Sequence, residues 1–319
     1  MMDIRRISYQ DIDDKKWDAC IMNSINGKLY AYSWYLNLVC DTWDALVDGD
    51  YEQVFPLPFR ERAGIRYIFM PPFTQQLGLF SRQHITPDKV NAFIQAIPKE
   101  FKLVDLNLNT LNKVDEGYPA ISNRNFELDL IRSYEQLRSG FSENIRRNIR
   151  KGEDAGMELI ENVAPAELIR LFRENRGREL RTYGDTDYAL LERLIHALLH
   201  RGMASISAAT VSENKLLAAA VIAELPHQSV FLFSATERRD NNHGALAWLI
   251  DSYIRKNSPG QRVLDFEGSN DPGLARFYAG FGATETTYPG IRLNRLPWHL
   301  RIILDTYRYL RDRLPRFGR

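Results

Sequence analysis

The stretch Arg262–Ala283, RVLDFEGSNDPGLARFYAGFGA, decides how the rest of the chain is read. A short apolar run ends in alternating Asp265 and Glu267, breaks at Gly268, and restarts as a helix whose first turn holds Asp271 and Pro272. The spacing therefore predicts strand, turn and helix, with polar groups at the strand end opening into a cleft. Just upstream, VFLFSATERRDNNHGALAWLIDSYI predicts a second such unit: an apolar strand, a polar loop, then Gly244 at the start of an amphipathic helix. Two of these in tandem point to a ligand site built on strand ends and helix N-termini.

The first half of the chain carries a similar order. After a strand near Ile4, helical spacing covers Ile12 to Met22 and Trp34 to Val39, and two β-patterned runs meet at Asp48-Gly49, a hairpin signal. The strand IRYIFM, a helix from Pro87 to Ile97 and the buried strand LVDLNLN follow. In the second half, helices at Ala166 to Leu180 and Ala189 to Leu199 precede a hairpin turning at Ser212 to Asn214, then VFLFSAT, the Gly244 helix and VLDFEGS. Hairpin turn, helix start and late strand fall at Asp48, Pro87 and Leu103 in one half and at Ser212, Gly244 and Arg262 in the other. This order predicts two copies of one α/β unit. The copies are unequal: the first lacks a counterpart to the Gly244 loop and to the helix carrying Tyr278, which suits a scaffold or acceptor-binding half.

A chain of 319 residues is long enough for two domains, at roughly 100 to 200 residues each. A formal net charge of +1 with 26% charged residues supplies no global field toward nucleic acid or anionic membrane. Cys20 and Cys40 are the only cysteines and lack zinc-like spacing, which favours a reducing compartment. No apolar run approaches the roughly 18 residues of a spanning helix, and the start MMDIRRISYQD lacks the apolar middle of a signal peptide, so a cytoplasmic protein is expected. His243 is the only histidine in a candidate site and the other five are scattered; no pair has metal-ligand spacing with acidic company, there is no G-x-S-x-G element, and neither cysteine has a credible histidine partner. No catalytic metal and no nucleophilic hydrolase chemistry are expected.

Between the halves, Ser142 is placed to cap a helix with Ile145 and Ile149 as its apolar seam, ending near Gly156. Arg146, Arg147, Arg150 and Lys151 cover its outer faces and would grip phosphate or carboxylate, or form a plain solvated face. The C-terminal segment keeps Leu300, Ile303, Leu304, Tyr307 and Leu310 on one stripe, predicting an amphipathic helix docked on its own domain, with a membrane-surface role as the alternative.

The runs RNFELDL, FSENIRRNIRKGEDAGMEL, NNHGALAWL and LDFEGSNDPGLARFYAGFGA together resemble the FemAB-like branch of the GNAT acyltransferase superfamily, over most of the chain. The resemblance implies an α/β (α+β) fold of two tandem GNAT-like domains, each a mixed, mainly antiparallel twisted sheet flanked by helices. The expected bounds are 1–135 for a degenerate N-terminal domain, 136–296 for the acyltransferase domain and 297–319 for the C-terminal helix and tail. It also implies transfer of an acyl group from a thioester, acyl-CoA as co-substrate, to an amine. One alternative is an aminoacyl-tRNA-dependent enzyme acting on a cell-wall precursor, although no long helical insertion of the kind those relatives carry is visible. Another is a non-catalytic binding or scaffold protein on the same fold.

GNAT enzymes carry a pyrophosphate loop of the form Q/R-x-x-G-x-G/A, met here by Asn241, Asn242, His243, Gly244, Ala245 and Leu246. Only the first glycine agrees, while Asn241 and Leu246 depart from the pattern. Backbone N–H groups at that helix start would still face an anion, and Arg239 would add a charge-assisted contact. Tyr278, four residues before Gly282, matches the tyrosine that in the family often protonates the leaving thiolate. Glu267, beside Asp265, would deprotonate an attacking amine, or one of the pair would serve as a cap or an arginine partner. By strand alternation the two point to the same side. Ser269 and Asn270 would donate to an oxyanion or cap the Asp271 helix, and Tyr183 with Gly184 would form either a lid or a connecting loop.

Overall fold

The turn at Asp48-Gly49 shows how local chemistry starts the first sheet. Gly49 takes φ of 62° and Tyr51 φ of 59°, reversing the chain between β-strands that pair antiparallel from Trp43↔Pro58 to Asp48↔Gln53. In the computed structural model, which describes residues 2–115, 117–118, 120–177, 183–211, 215–238 and 242–301, the chain divides into two units. The first is Met1–Ile121 with Pro289–Arg319, and the second is Ser122–Tyr288.

The first unit runs β1 (Ile4–Ile7), α1 (Asp14–Asn23), α2 (Ser33–Val39), β2 (Trp43–Asp48), β3 (Gln53–Arg62), β4 (Ile65–Ile68), β5 (Phe80–Ser81), α3 (Pro87–Ala96) and β6 (Phe101–Asn107). Its strands lie in the order β1-β2-β3-β4-β6, antiparallel except for the parallel pair β4 and β6, with β5 also on β3. Trp17 and Trp43, with ring centroids 4.8 Å apart, and the stacked Phe55 and Phe93 fill its core. Thr86 caps α3 and Pro87 opens it.

The second unit runs β7 (Ala120–Asp129), α4 (Tyr134–Ser139), α5 (Glu143–Asp154), β8 (Glu158–Glu161), α6 (Pro165–Glu174), α7 (Asp185–His200), β9 (Ala204–Thr210), β10 (Leu216–Glu224), β11 (Gln228–Thr236), α8 (Ala245–Asn257), β12 (Val263–Asp265), α9 (Pro272–Ala279) and β13 (Thr284–Asn294). Its strands lie in the order β13-β7-β12-β11-β10-β9-β8, with β11 and β12 parallel. Residues Gly290–Asn294, the end of β13, lie in the first unit and pair antiparallel with β6. From β1 to β6 and from β8 to β12 the succession is the same: strand, two helices, antiparallel strands, a helix, and a last strand parallel to its predecessor, β5 being extra in the first unit.

One face of the second sheet packs on α5 and α8 and the other on α6 and α7. Ser142 caps α5 through Ile145 N–H, and Ile145 and Ile149 are buried, as their spacing predicts. The two helices α5 and α8 approach so closely at Gly152 that an added Cβ would lie 2.9 Å from the Trp248 ring.

Several elements differ from the sequence reading. The first unit ends near residue 121 rather than 135, because β7 pairs with β12 and so belongs to the second unit. The strands β7, β8 and β13 lack the strong alternation that marks half-buried strands; β8, for instance, has no fully buried residue. The turn at Ser212–Asn214 and the stripe residues Ile303, Leu304, Tyr307 and Leu310 lie outside the described residues. Among the described residues no helix is long and apolar enough to cross a membrane.

Candidate active site

The site begins where two parallel strands separate. The last β11–β12 pair is Val230↔Asp265, after which β11 continues to Thr236 without β12 beside it. At the same point β11 bulges: Val221 pairs with Phe233 and Ile222 with Phe231, leaving Leu232 unmatched. A bulge re-aims side chains, so Phe231 joins the core beneath α8 while Phe233 packs on Phe172 of α6 at 4.7 Å.

The chain leaving β12 turns sharply. Glu267 and Gly268 take φ of 57° and 41°, and a Cβ on Gly268 would lie 2.3 Å from the Arg124 carbonyl oxygen, so only glycine fits there. This turn corrects the expectation from alternation. Asp265 is fully buried, its carboxylate accepting from Gln228 Nε2 at 2.7 Å and from the Glu267 N–H at 2.8 Å. Glu267, beyond the end of the strand and half-buried, is aimed by its left-handed backbone rather than by the pleat.

Tyr278 and Tyr183 both feel the Glu267 carboxylate. Tyr278 lies on α9, with its ring stacked on Phe266 at 5.0 Å and bordered by Phe231 and Phe126. Burial, reinforced by the negative charge of Glu267, pushes its hydroxyl well above the ordinary phenol range. It is therefore a proton donor at neutral pH. Tyr183, just before α7, sits against Phe172 and Tyr188, and burial followed by the Glu267 charge raises it too. Glu267 thus lies near enough to Tyr278 and to Tyr183 for its charge to act on both hydroxyls.

The start of α9 is held internally. Asp271 is its N-cap, accepting from Gly273 and Leu274 N–H, and Ser269 Oγ accepts from the Asp271 N–H at 2.9 Å. Asn270 binds β7, through Arg124 N–H and Asn123. Both side chains that the sequence offered as oxyanion donors or caps therefore brace the turn.

At α8, His243 and Gly244 take φ of 49° and 70°, and a Cβ on Gly244 would lie 2.4 Å from the Asn148 carbonyl oxygen of α5. Asn242 satisfies two early donors, its side chain accepting from Gly244 N–H and its carbonyl from Ala245 N–H. The Leu246 and Ala247 N–H groups find no acceptor among the described residues, leaving two donors at the positive end of the helix. An open depression of about 460 Å³ lies there, lined by Asn148, Lys151, Asn242, His243 and Gly244 among others. Arg239 and Asn241 lie outside the described residues. On α5, Arg146, Arg147 and Arg150 are exposed; Arg147 donates to Asn144, and none of the three has an ion pair among the described residues.

Sequence reasoning missed Gln228 and the aromatic wall of Phe126, Phe231 and Phe266. Gln228 lies 37 residues from Asp265, so no local pattern links them.

Residues 139–272 match the family model described as Acetyltransferase (GNAT) domain, a span that holds the bulge, the Gly244 loop and the Glu267 turn. That part of the chain is thus similar to a GNAT domain. The crystal structure of FemX superposes with a TM-score of 0.60 at 13% identity, covering 89% of this chain and 96% of that one. L-PGS from Bacillus licheniformis gives 0.54 at 12% identity, covering 92% and 96%. A tandem GNAT protein from the clavulanic acid biosynthesis pathway gives 0.51 at 12%, covering 93% and 99%. At these identities the likeness is one of fold alone, and the fold is shared with FemX and with a tandem GNAT protein. No curated protein matches the chain.

Proposed function

We propose that the second unit transfers an acyl group from a thioester of the acyl-CoA type to an amine. The observation that carries this reading is that Glu267, at the point where β11 and β12 part and within the residues matched by the GNAT domain, acts on the hydroxyl of Tyr278 just beyond them. In this reading the donor's phosphates lie at the α8 start, on the Leu246 and Ala247 N–H groups and near Lys151. The amine nitrogen attacks the thioester carbonyl, forming the C–N bond as the C–S bond breaks. Glu267 takes the proton lost by nitrogen, and Tyr278 gives its proton to the departing sulfur and regains one through Glu267 or solvent. Orientation of amine and thioester supplies much of the rate. Asp265 and Gln228 hold the Glu267 turn in place.

A second reading keeps the fold and takes aminoacyl-tRNA as donor. The exposed Arg146 and Arg150, without ion pairs among the described residues, favour it. Calorimetric titration with CoA, acetyl-CoA and aminoacyl-tRNA, followed by thiol-release assays over a panel of amines, separates the two. Saturable CoA binding with thiol release supports the first reading. Salt-sensitive tRNA binding without CoA binding supports the second, and retention of neither ligand leaves a non-catalytic protein.

A further inference from the structure

Beneath the C-terminal half of α8 the sheet leaves a crevice of about 310 Å³, within the range of small-ligand pockets. It exists because side chains opposite one another are small. Ser207 pairs across strands with Ala220, and Ser205 with Ile222, so the sheet surface is low where Leu249 and Ile250 roof it. The inner wall is apolar. It ends on Phe231, whose other neighbours are Phe266, at 6.1 Å between centroids, and Tyr278, at 6.4 Å. A single aromatic ring therefore stands between this crevice and the tyrosine assigned to the departing sulfur.

The charges around the crevice cancel locally. Glu161 pairs with Lys256 at 2.5 Å and Glu224 with Arg262 at 2.9 Å. Tyr253 donates to Ser229 Oγ at 2.8 Å, and burial pushes its hydroxyl up to about 12, so it stays neutral. Ser205 and Ser207, half-buried, have hydroxyls without a partner among the described residues. An occupant must then be uncharged, apolar along the inner wall and tolerant of hydroxyls farther out. A cationic aminoacyl tail does not meet these terms, and a hydrocarbon chain does.

We propose that this crevice receives the tail of a medium-chain acyl donor, which passes Phe231 when that ring turns aside, so that the transferred group is a fatty-acyl rather than an acetyl or aminoacyl group. The proposal rests on the acyl-CoA reading above and narrows it to one substrate class. A hydroxyl carried on the chain would find Ser205 or Ser207 as its partner.

Affinities of CoA, acetyl-CoA, octanoyl-CoA and decanoyl-CoA for the full chain test it by calorimetry. The expected result is that octanoyl-CoA binds about tenfold or more tighter than acetyl-CoA, since each buried methylene adds to the transfer free energy. Ser207→Leu, which fills the crevice, should bring the esters to within about twofold of one another while leaving acetyl-CoA unchanged. Equal affinities for acetyl and octanoyl esters in the unsubstituted protein overturn the tail site and leave the acyl-CoA reading standing. Binding of no CoA ester overturns both. The ester series on the unsubstituted protein is decisive even if the filled variant melts early, and a length preference that survives Ser207→Leu in a folded variant places the tail elsewhere and also overturns the proposal.

Discussion

The N–H of Glu267 donates to Asp265 Oδ1 at 2.8 Å, so a fully buried carboxylate fixes the turn that presents a second, half-buried one. The other Asp265 oxygen is held by Gln228 Nε2 at 2.7 Å. Two acidic residues two positions apart therefore differ in setting, one buried within the turn and one half-buried beyond the strand end.

Asp265→Ala leaves Gln228 Nε2 and the Glu267 N–H without their acceptor in a buried place. Such orphaned donors cost about 1–3 kcal/mol each. Chemical denaturation should show a loss of at least that order, whereas Glu267→Gln, which keeps the turn, should leave stability nearly unchanged and lower turnover. Equal destabilisation by both substitutions would contradict the division of roles.

Tyr278→Phe keeps the ring stacked on Phe266 and removes only the hydroxyl. Loss of a general acid lowers turnover by about a hundredfold or more. Donor affinity and melting temperature should stay close to those of the unsubstituted protein. Unaltered turnover in a steady-state assay would remove the tyrosine from the chemistry.

Gly244→Ala meets two obstacles, a φ of 70° and a Cβ 2.4 Å from the Asn148 carbonyl oxygen. Backbone strain of this kind costs about 1–3 kcal/mol, and the clash adds to it by separating α8 from α5. A lowered melting temperature and weakened CoA binding are expected together. Normal behaviour in both measurements would mean that the loop is not clamped on α5.

Stability should fall in alkali for a stated reason. Burial raises Tyr253 to about 12, while the unfolded phenol ionises near pH 10. Below pH 10 both states are protonated and this contribution is fully present. As pH rises from about 10 to 12 the unfolded state loses protons first, so stability falls by on the order of 1 kcal/mol per pH unit and levels off above the folded value. Denaturation midpoints at successive alkaline pH values should show this slope, and Tyr253→Phe should reduce it.

The exposed Arg146 and Arg150 lack ion pairs among the described residues, so replacing both by Glu should hardly affect melting. If they attract the donor's phosphates, its affinity should drop several-fold at low salt, with a smaller drop at high salt. A salt-independent effect would point to altered packing.

The sequence determined what local patterns encode. Asp48-Gly49 requires a reversal, Ser142 with Ile145 and Ile149 dictates a capped amphipathic helix, and Asp271-Pro272 starts a helix after a strand. The repeated order of strands and helices was legible for the same reason, since each element is set by neighbours a few residues away. Tertiary structure alone decided the rest. β7 reads as part of the first half, yet it pairs with β12 more than a hundred residues later, because pairing is chosen by edge and register rather than by position along the chain. Glu267 leaves the plane expected from alternation because Gly268 must pass within contact of Arg124 and Asn125. Phe231, ordinary in sequence, becomes the wall between Tyr278 and a crevice only once the bulge at Leu232 rotates it beneath α8. Local sequence sets which elements form, and long-range packing sets which side chains meet, because those contacts are made between residues that no short window contains.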